Sequence, residues 1–148
     1  MSHYISSYQR VEYTWNVPGQ PIPAPRLTQA SAHHPTIPRG YYAFKAAVVQ
    51  RLLETYPGET LFPRHIVQTG HPFLFRDGRT DMTAIVQYYL WMAQTKKGTC
   101  VHGDPDNIAK AILDALFYDD RHVLPRCMGL LCGGEPPHVN IVVTLVGA

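Results

Sequence analysis

Five aspartates, Asp104, Asp106, Asp114, Asp119 and Asp120, fall within seventeen residues that contain a single base, Lys110. Two carboxylates spaced two apart offer the hard oxygen ligands that hold Mg²⁺ while leaving coordination positions for water and phosphate. A third carboxylate from Asp119-Asp120 would complete a cluster able to activate water and stabilise the charge that develops in phosphodiester cleavage. A second ion about 4 Å from the first would clamp both the attacking and the leaving oxygen. The plainer assignment of the same residues makes Asp104 a helix cap, Asp119-Asp120 a turn, and Lys110 an i,i+4 partner of Asp106 or Asp114.

Charge outside this window favours the chemical assignment. The chain carries 13 Lys and Arg against 11 Asp and Glu, a net of +2. Removing the acidic window leaves twelve bases against six acids, a net of +6. A basic surface around one concentrated acidic site suits a metal-dependent enzyme acting on a polyanion. The sequence offers other ligand and nucleophile sets. Cys127 and Cys132, with Cys100, His122 and His138, could supply zinc, but no second paired half accompanies them. The cysteines read instead as reduced, buried small hydrophobes, being odd in number with no targeting signal in front. His33, His34 and His102 are candidates for phosphate contact or proton transfer, although solvated loop histidines are commoner. Tyr88, Tyr89 and Trp91 could form a base-stacking platform, yet on so apolar a strand they read as core. Nothing resembles a Ser/His/Asp triad or a Gly-rich phosphate loop.

The elements that must position these residues follow from periodicity. Val11 to Val17 alternates apolar and polar residues as a half-buried strand does, and Pro18-Gly19 ends it. A Pro-rich loop carrying Arg26, His33, His34 and Arg39 runs to about Gly40. Tyr41, Phe44, Val48 and Leu52 mark one face of a helix over Tyr41 to Tyr56, stopped by Pro57-Gly58. His65 to Phe75 reads as a weak strand interrupted by Gly70 and Pro72, followed by a turn at Asp77-Gly78. Thr83 to Met92 is apolar on both faces and reads as a central strand covered on both sides. Lys96-Lys97-Gly98 opens a polar loop, and His138 to Val146 is a final strand. Between them, Pro105 to Phe117 reads as a helix with Pro105 as its first residue and Asp104 as its N-cap. Ile108, Ala111, Ile112, Ala115 and Leu116 form its apolar stripe; Asp106, Asn107, Lys110 and Asp114 share the other side. With 148 residues, 45% of them hydrophobic, the expectation is one domain over 1–148, with 1–10 a flexible tail. Its class would be α/β, a mixed β-sheet with a few flanking helices.

The string Asp104-Pro105-Asp106-Asn107, with Lys110 four residues after the second Asp, then Asp114-Ala115-Leu116, Asp119-Asp120 and Val123, resembles the signature of RusA-like Holliday junction resolvases. Trp15-Asn16-Val17-Pro18-Gly19 leading into Pro21, Pro23 and Pro25-Arg26 is similar to that family's opening strand and Pro/Arg loop, and Pro137-His138-Val139 to its ending. The resemblance implies a RusA-like fold and catalytic metal ligation by Asp104, Asp106 and Asp120, with Lys110 also essential. Asp120 is preferred to Asp119 on the resemblance alone, and Asn107 and Asp119 are secondary candidates. Two departures stand out. The loop Gly98 to Gly103 is less basic than is common in the family, and the link from the helix to Asp119 is shorter than in some members.

The function implied is a hydrolase, a Mg²⁺-dependent (or Mn²⁺-dependent) endodeoxyribonuclease that resolves four-way junctions in DNA recombination and repair. Paired nicks in strands related by a two-fold axis imply a homodimer. Lys110 would stabilise charge at the scissile phosphate, while Arg26, Arg39, Lys96 and Lys97 would hold the DNA backbone. Two rivals remain: a nuclease of the same fold acting on other branched DNA, and a non-catalytic junction-binding module. No secretory or membrane-spanning run stands out, so a soluble cytoplasmic protein without a membrane partner is expected.

Overall fold

A computed structural model describes residues 10–25, 37–74, 82–100 and 104–147. In chain order the elements are β1 (Arg10–Pro18), α1 (Tyr41–Thr55), α2 (Leu61–Thr69), β2 (Met82–Met92), α3 (Pro105–Leu116), β3 (Val123–Cys132) and β4 (His138–Gly147). The four strands form one mixed sheet in the order β1-β4-β2-β3, so this is a single small α/β domain with three helices. β4 runs antiparallel to both β1 and β2, whereas β2 and β3 are parallel. The parallel pair is joined through α3, the crossover that parallel strands require. No described helix is long and apolar enough to cross a membrane.

The expected strand patterns set the core. Trp15 and Val17 of β1 align with Ile141 and Val139 of β4, which in turn face Tyr88 and Leu90 of β2. All six are buried. The helices cover this same face: the Trp15 indole N–H donates to the Val48 carbonyl of α1 at 3.0 Å, and the Tyr88 hydroxyl donates to the Pro105 carbonyl of α3 at 3.3 Å. Phe62 of α2 packs edge-on to Tyr13 of β1, with ring centres 5.0 Å apart. The α1 stripe Tyr41, Phe44, Val48 and Leu52 is buried as its spacing requires.

Several expectations need correction. His65 to Phe75 is not a strand: α2 occupies Leu61–Thr69 and ends at Gly70, whose φ of 83° is the left-handed conformation that glycine adopts cheaply. Pro63 falls in its first turn, where a missing N–H costs nothing. β3 was not expected at all, because Pro125 and Gly129 interrupt its pattern. Both are tolerated since β3 is an edge strand. β2 is central, as read, but the described residues cover it on one face only. Tyr88 is core, whereas Tyr89 is 43% exposed on the opposite face and Trp91 is half-buried.

The cysteines also differ from expectation. Cys100 and Cys132 form a disulfide, and Cys127 is exposed rather than buried. The pairing follows from the sheet: Cys132 ends β3 beside Met92, and Cys100 bridges Gln94 just beyond it.

Candidate active site

α3 begins as its residues dictate. Asp104 is the N-cap, its Oδ1 accepting the Asp106 backbone N–H at 3.0 Å, and Pro105 is the first helical residue. A carboxylate here is further favoured by the positive end of the helix dipole. Ile108, Ala111, Ile112, Ala115 and Leu116 are buried, which turns Asp106 and Lys110 outward as exposed side chains. Lys110 lies one turn after Asp106 and, among the described residues, forms no ion pair with Asp106 or Asp114. Asn107 is half-buried, and its carbonyl accepts the Ala24 N–H at 2.8 Å, tying the Pro-rich segment to the start of α3.

Because α3 is the crossover between parallel strands, its N-terminus lies at their carboxyl end. That edge is where open α/β sheets bind ligands. Lys96 and Lys97 are exposed in the turn after β2, closed by the Thr95 N–H on the Thr99 carbonyl at 2.7 Å. The disulfide holds Cys100, four residues before Asp104, to the end of β3. Tyr88 was assigned to the core by its strand, but its hydroxyl reaches this site. Burial, reinforced by the charges of Cys127, Asp106 and Asp104, pushes the phenol up to about 12, so it stays a neutral hydrogen-bond donor beside the acidic pair. A lone polar atom at the tip of an apolar strand residue was the only signal that could have found it.

The remaining acids stand at the other end of α3. Asp114, Asp119 and Asp120 line a cleft of about 390 Å³ with Lys45, His71 and Tyr118. The Arg121 guanidinium forks onto Asp119 and holds its carboxyl down at about 2, chiefly through that hydrogen bonding. Asp120 is exposed, and its carbonyl accepts the Val123 N–H that starts β3. The Tyr41 hydroxyl donates to Asp114 at 3.5 Å, and its pKa is raised by burial and then by that carboxylate. Lys45 is held 4.9 Å over the Tyr41 ring.

The acidic constellation is therefore split. Twelve helical residues span about 18 Å. Asp120 sits at the start of β3, its carbonyl on the Val123 N–H, whereas Cys100, four residues before Asp104, is bonded to Cys132 at the other end of that strand, nine residues and about 30 Å away. Among the described residues, no three His, Cys, Asp or Glu side chains come together as a metal site. Asp104 and Asp106 fit a hard cation as two oxygen ligands with positions left for water and phosphate. Asp120 does not belong to the same set. Arg39 is exposed in the turn that starts α1. Arg26, His33, His34, His102 and the Asp77-Gly78 turn lie outside the described residues.

No family model matches the chain, and no curated protein matches it either.

Proposed function

We propose that the chain is a metal-dependent endodeoxyribonuclease acting on branched DNA, with the four-way junction as its preferred substrate. The observation that carries this is the Asp104–Asp106 pair at the exposed start of α3, at the carboxyl edge of the parallel strands, with Lys110 one turn along. A bound Mg²⁺, or Mn²⁺ in its place, would supply a Lewis acid and a nucleophilic water. Asp104 and Asp106 would hold it. Lys110 would balance the negative charge that grows on the scissile phosphate, and the Tyr88 hydroxyl, neutral at working pH, would brace the Pro105 carbonyl beneath the pair. Lys96, Lys97, Arg39 and Arg26 would grip the DNA backbone, so affinity should fall steeply with salt. Paired nicks would call for two such sites in a homodimer. Recombination and repair inside the cell would be the setting.

One observation favours a second reading. Asp120 stands at the far end of α3, which suits a junction-binding module in which the acids only cap and turn the chain. Four-way junction, Y-shaped, duplex and single-stranded DNA incubated with the protein, with and without Mg²⁺ or excess EDTA, separate the possibilities. Junction nicking that needs the cation and is lost in Asp106→Asn, while junction binding persists, supports the nuclease. Binding with no nicking of any substrate leaves the binding module.

A further inference from the structure

A trough runs between α1, the end of α2 and the last turn of α3. Its cavity of about 710 Å³ falls within the range of binding clefts. Val49 and Leu53 of α1, Ile66 of α2 and Ala115 of α3 form an apolar floor, with Ala46 exposed on the wall. Val49 and Leu53 pack against the core on one side, yet each is only half-buried. The trough follows α1 from Lys45 to Glu54, about 14 Å or two and a half turns.

The two ends of the trough differ in charge. At the far end Glu54 is already satisfied, accepting from Arg51 at 3.1 Å and from Gln50 at 3.3 Å. At the near end the trough opens into the acidic cleft of about 390 Å³, and Lys45, His71 and Asp114 line both. Arg121 occupies Asp119 there, and the Lys45 ammonium lies over the Tyr41 ring. Asp114 accepts the Tyr41 hydroxyl, and among the described residues neither Asp114 nor Asp120 forms an ion pair. The His71 Nδ1 faces the Thr69 carbonyl at 3.0 Å, so in the neutral ring that nitrogen carries the proton and Nε2 is left to accept. Setting Arg121 and Lys45 against the three aspartates leaves the cleft net negative.

We propose that trough and cleft together dock a short basic amphipathic helix of a partner protein. Its apolar side chains, at i, i+3 and i+7, lie over Val49, Leu53 and Ile66, and a Lys or Arg at its end enters the cleft between Asp114 and Asp120. Charge selects the occupant: a net negative cleft repels the phosphates of nucleic acid and attracts an ammonium or guanidinium, for which two carboxylates and the His71 Nε2 supply acceptors. Shape points the same way. The trough is open along one side, so a small molecule would keep much of its surface wet, whereas a helix needs only one face covered. The site stands at the opposite end of α3 from Asp104 and Asp106, so a docked partner would leave that pair uncovered. Docking does not depend on the nuclease reading.

Fluorescence anisotropy with the full chain tests this without DNA or metal. The probe is a labelled helical peptide about twelve residues long, with Leu at those spacings and Arg-Arg at one end. Saturable binding is expected, at least tenfold tighter than that of the same peptide ending in Glu-Glu. Ala46→Arg, at an exposed helical position, should block the trough and weaken the peptide at least tenfold with an unchanged circular dichroism spectrum. Asp120→Lys, also exposed, should weaken the Arg-Arg peptide and tighten the Glu-Glu one. A wild type that binds neither peptide, equal affinity for the two, or indifference to both substitutions overturns the proposal. So does a chain that self-associates in sedimentation until Ala46→Arg makes it monomeric, which would put a second copy in the trough. Peptide binding by a protein that nicks nothing would leave the docking site standing and remove the nuclease; cation-dependent nicking without peptide binding would do the reverse.

Discussion

The Asp104 carboxylate accepts the Asp106 amide proton, so deleting it unseats a helix end along with a charge. Two substitutions separate these roles. Asp104→Ala should cost about 1 kcal/mol of stability, the usual worth of an N-cap. Asp104→Asn keeps an accepting oxygen and should unfold in urea close to wild type, yet lose cation-dependent nicking. If Asp104→Asn cuts normally, the residue is a cap and nothing more. Asp119 is the contrasting acid, occupied by Arg121 and ionised down to about pH 2. Because its folded value is lowered, the pair stabilises fully above the ordinary carboxylate range near pH 4 and loses that contribution as pH falls toward 2. The effect is small, since Arg121 is largely in water. Urea midpoints across that window should fall less for Asp119→Asn than for wild type; identical slopes would deny the pair any role. Spacing revealed Asp104 as a cap and Asp106 and Lys110 as outward neighbours, because both follow from helix periodicity alone. It could not reveal Tyr88 or the Arg121 fork, which depend on where strands and turns lie in space.

Elements were legible in proportion to how far local pattern and tertiary demand agree. In α3, proline, cap and apolar stripe point to one answer, and the helix begins at Pro105 as read and ends at Leu116, one residue short of the reading. β1, β2 and β4 carry alternation or continuous apolar runs and were found within a residue or two of their ends. β3 escaped because an edge strand obeys looser rules: Pro125 and Gly129 would argue against a central strand but cost little where one side faces water. α2 escaped because Gly70 and Pro72 punctuate its end, while Thr60 and Pro63 mark a start that is easy to overlook. The split of the acidic cluster has the same origin. Chain spacing counts residues between Asp106 and Asp120 but does not say that the helix between them is a crossover, whose two ends must lie at opposite edges of the sheet.

At the scale of the molecule, the disulfide joins residues 32 apart and closes a loop that contains α3 and β3. Closing a loop of that length should contribute about 4 kcal/mol by restricting the unfolded chain. Dithiothreitol should therefore lower the urea midpoint of the wild type, and Cys100→Ser should match the reduced protein and ignore the reagent. An unchanged wild-type midpoint would sink that expectation. The order β1-β4-β2-β3 bears on how the chain is made. Val17 meets its neighbour Val139 only after about 120 further residues have been synthesised, on the order of ten seconds at ordinary ribosomal speeds. β1 waits through that interval and β2 joins it once made, the two on either side of an empty slot with Trp15, Val86 and Tyr88 unprotected. Newborn chains, more than finished ones, are then the form that needs a chaperone, and slowing translation just before His138 should lengthen that need.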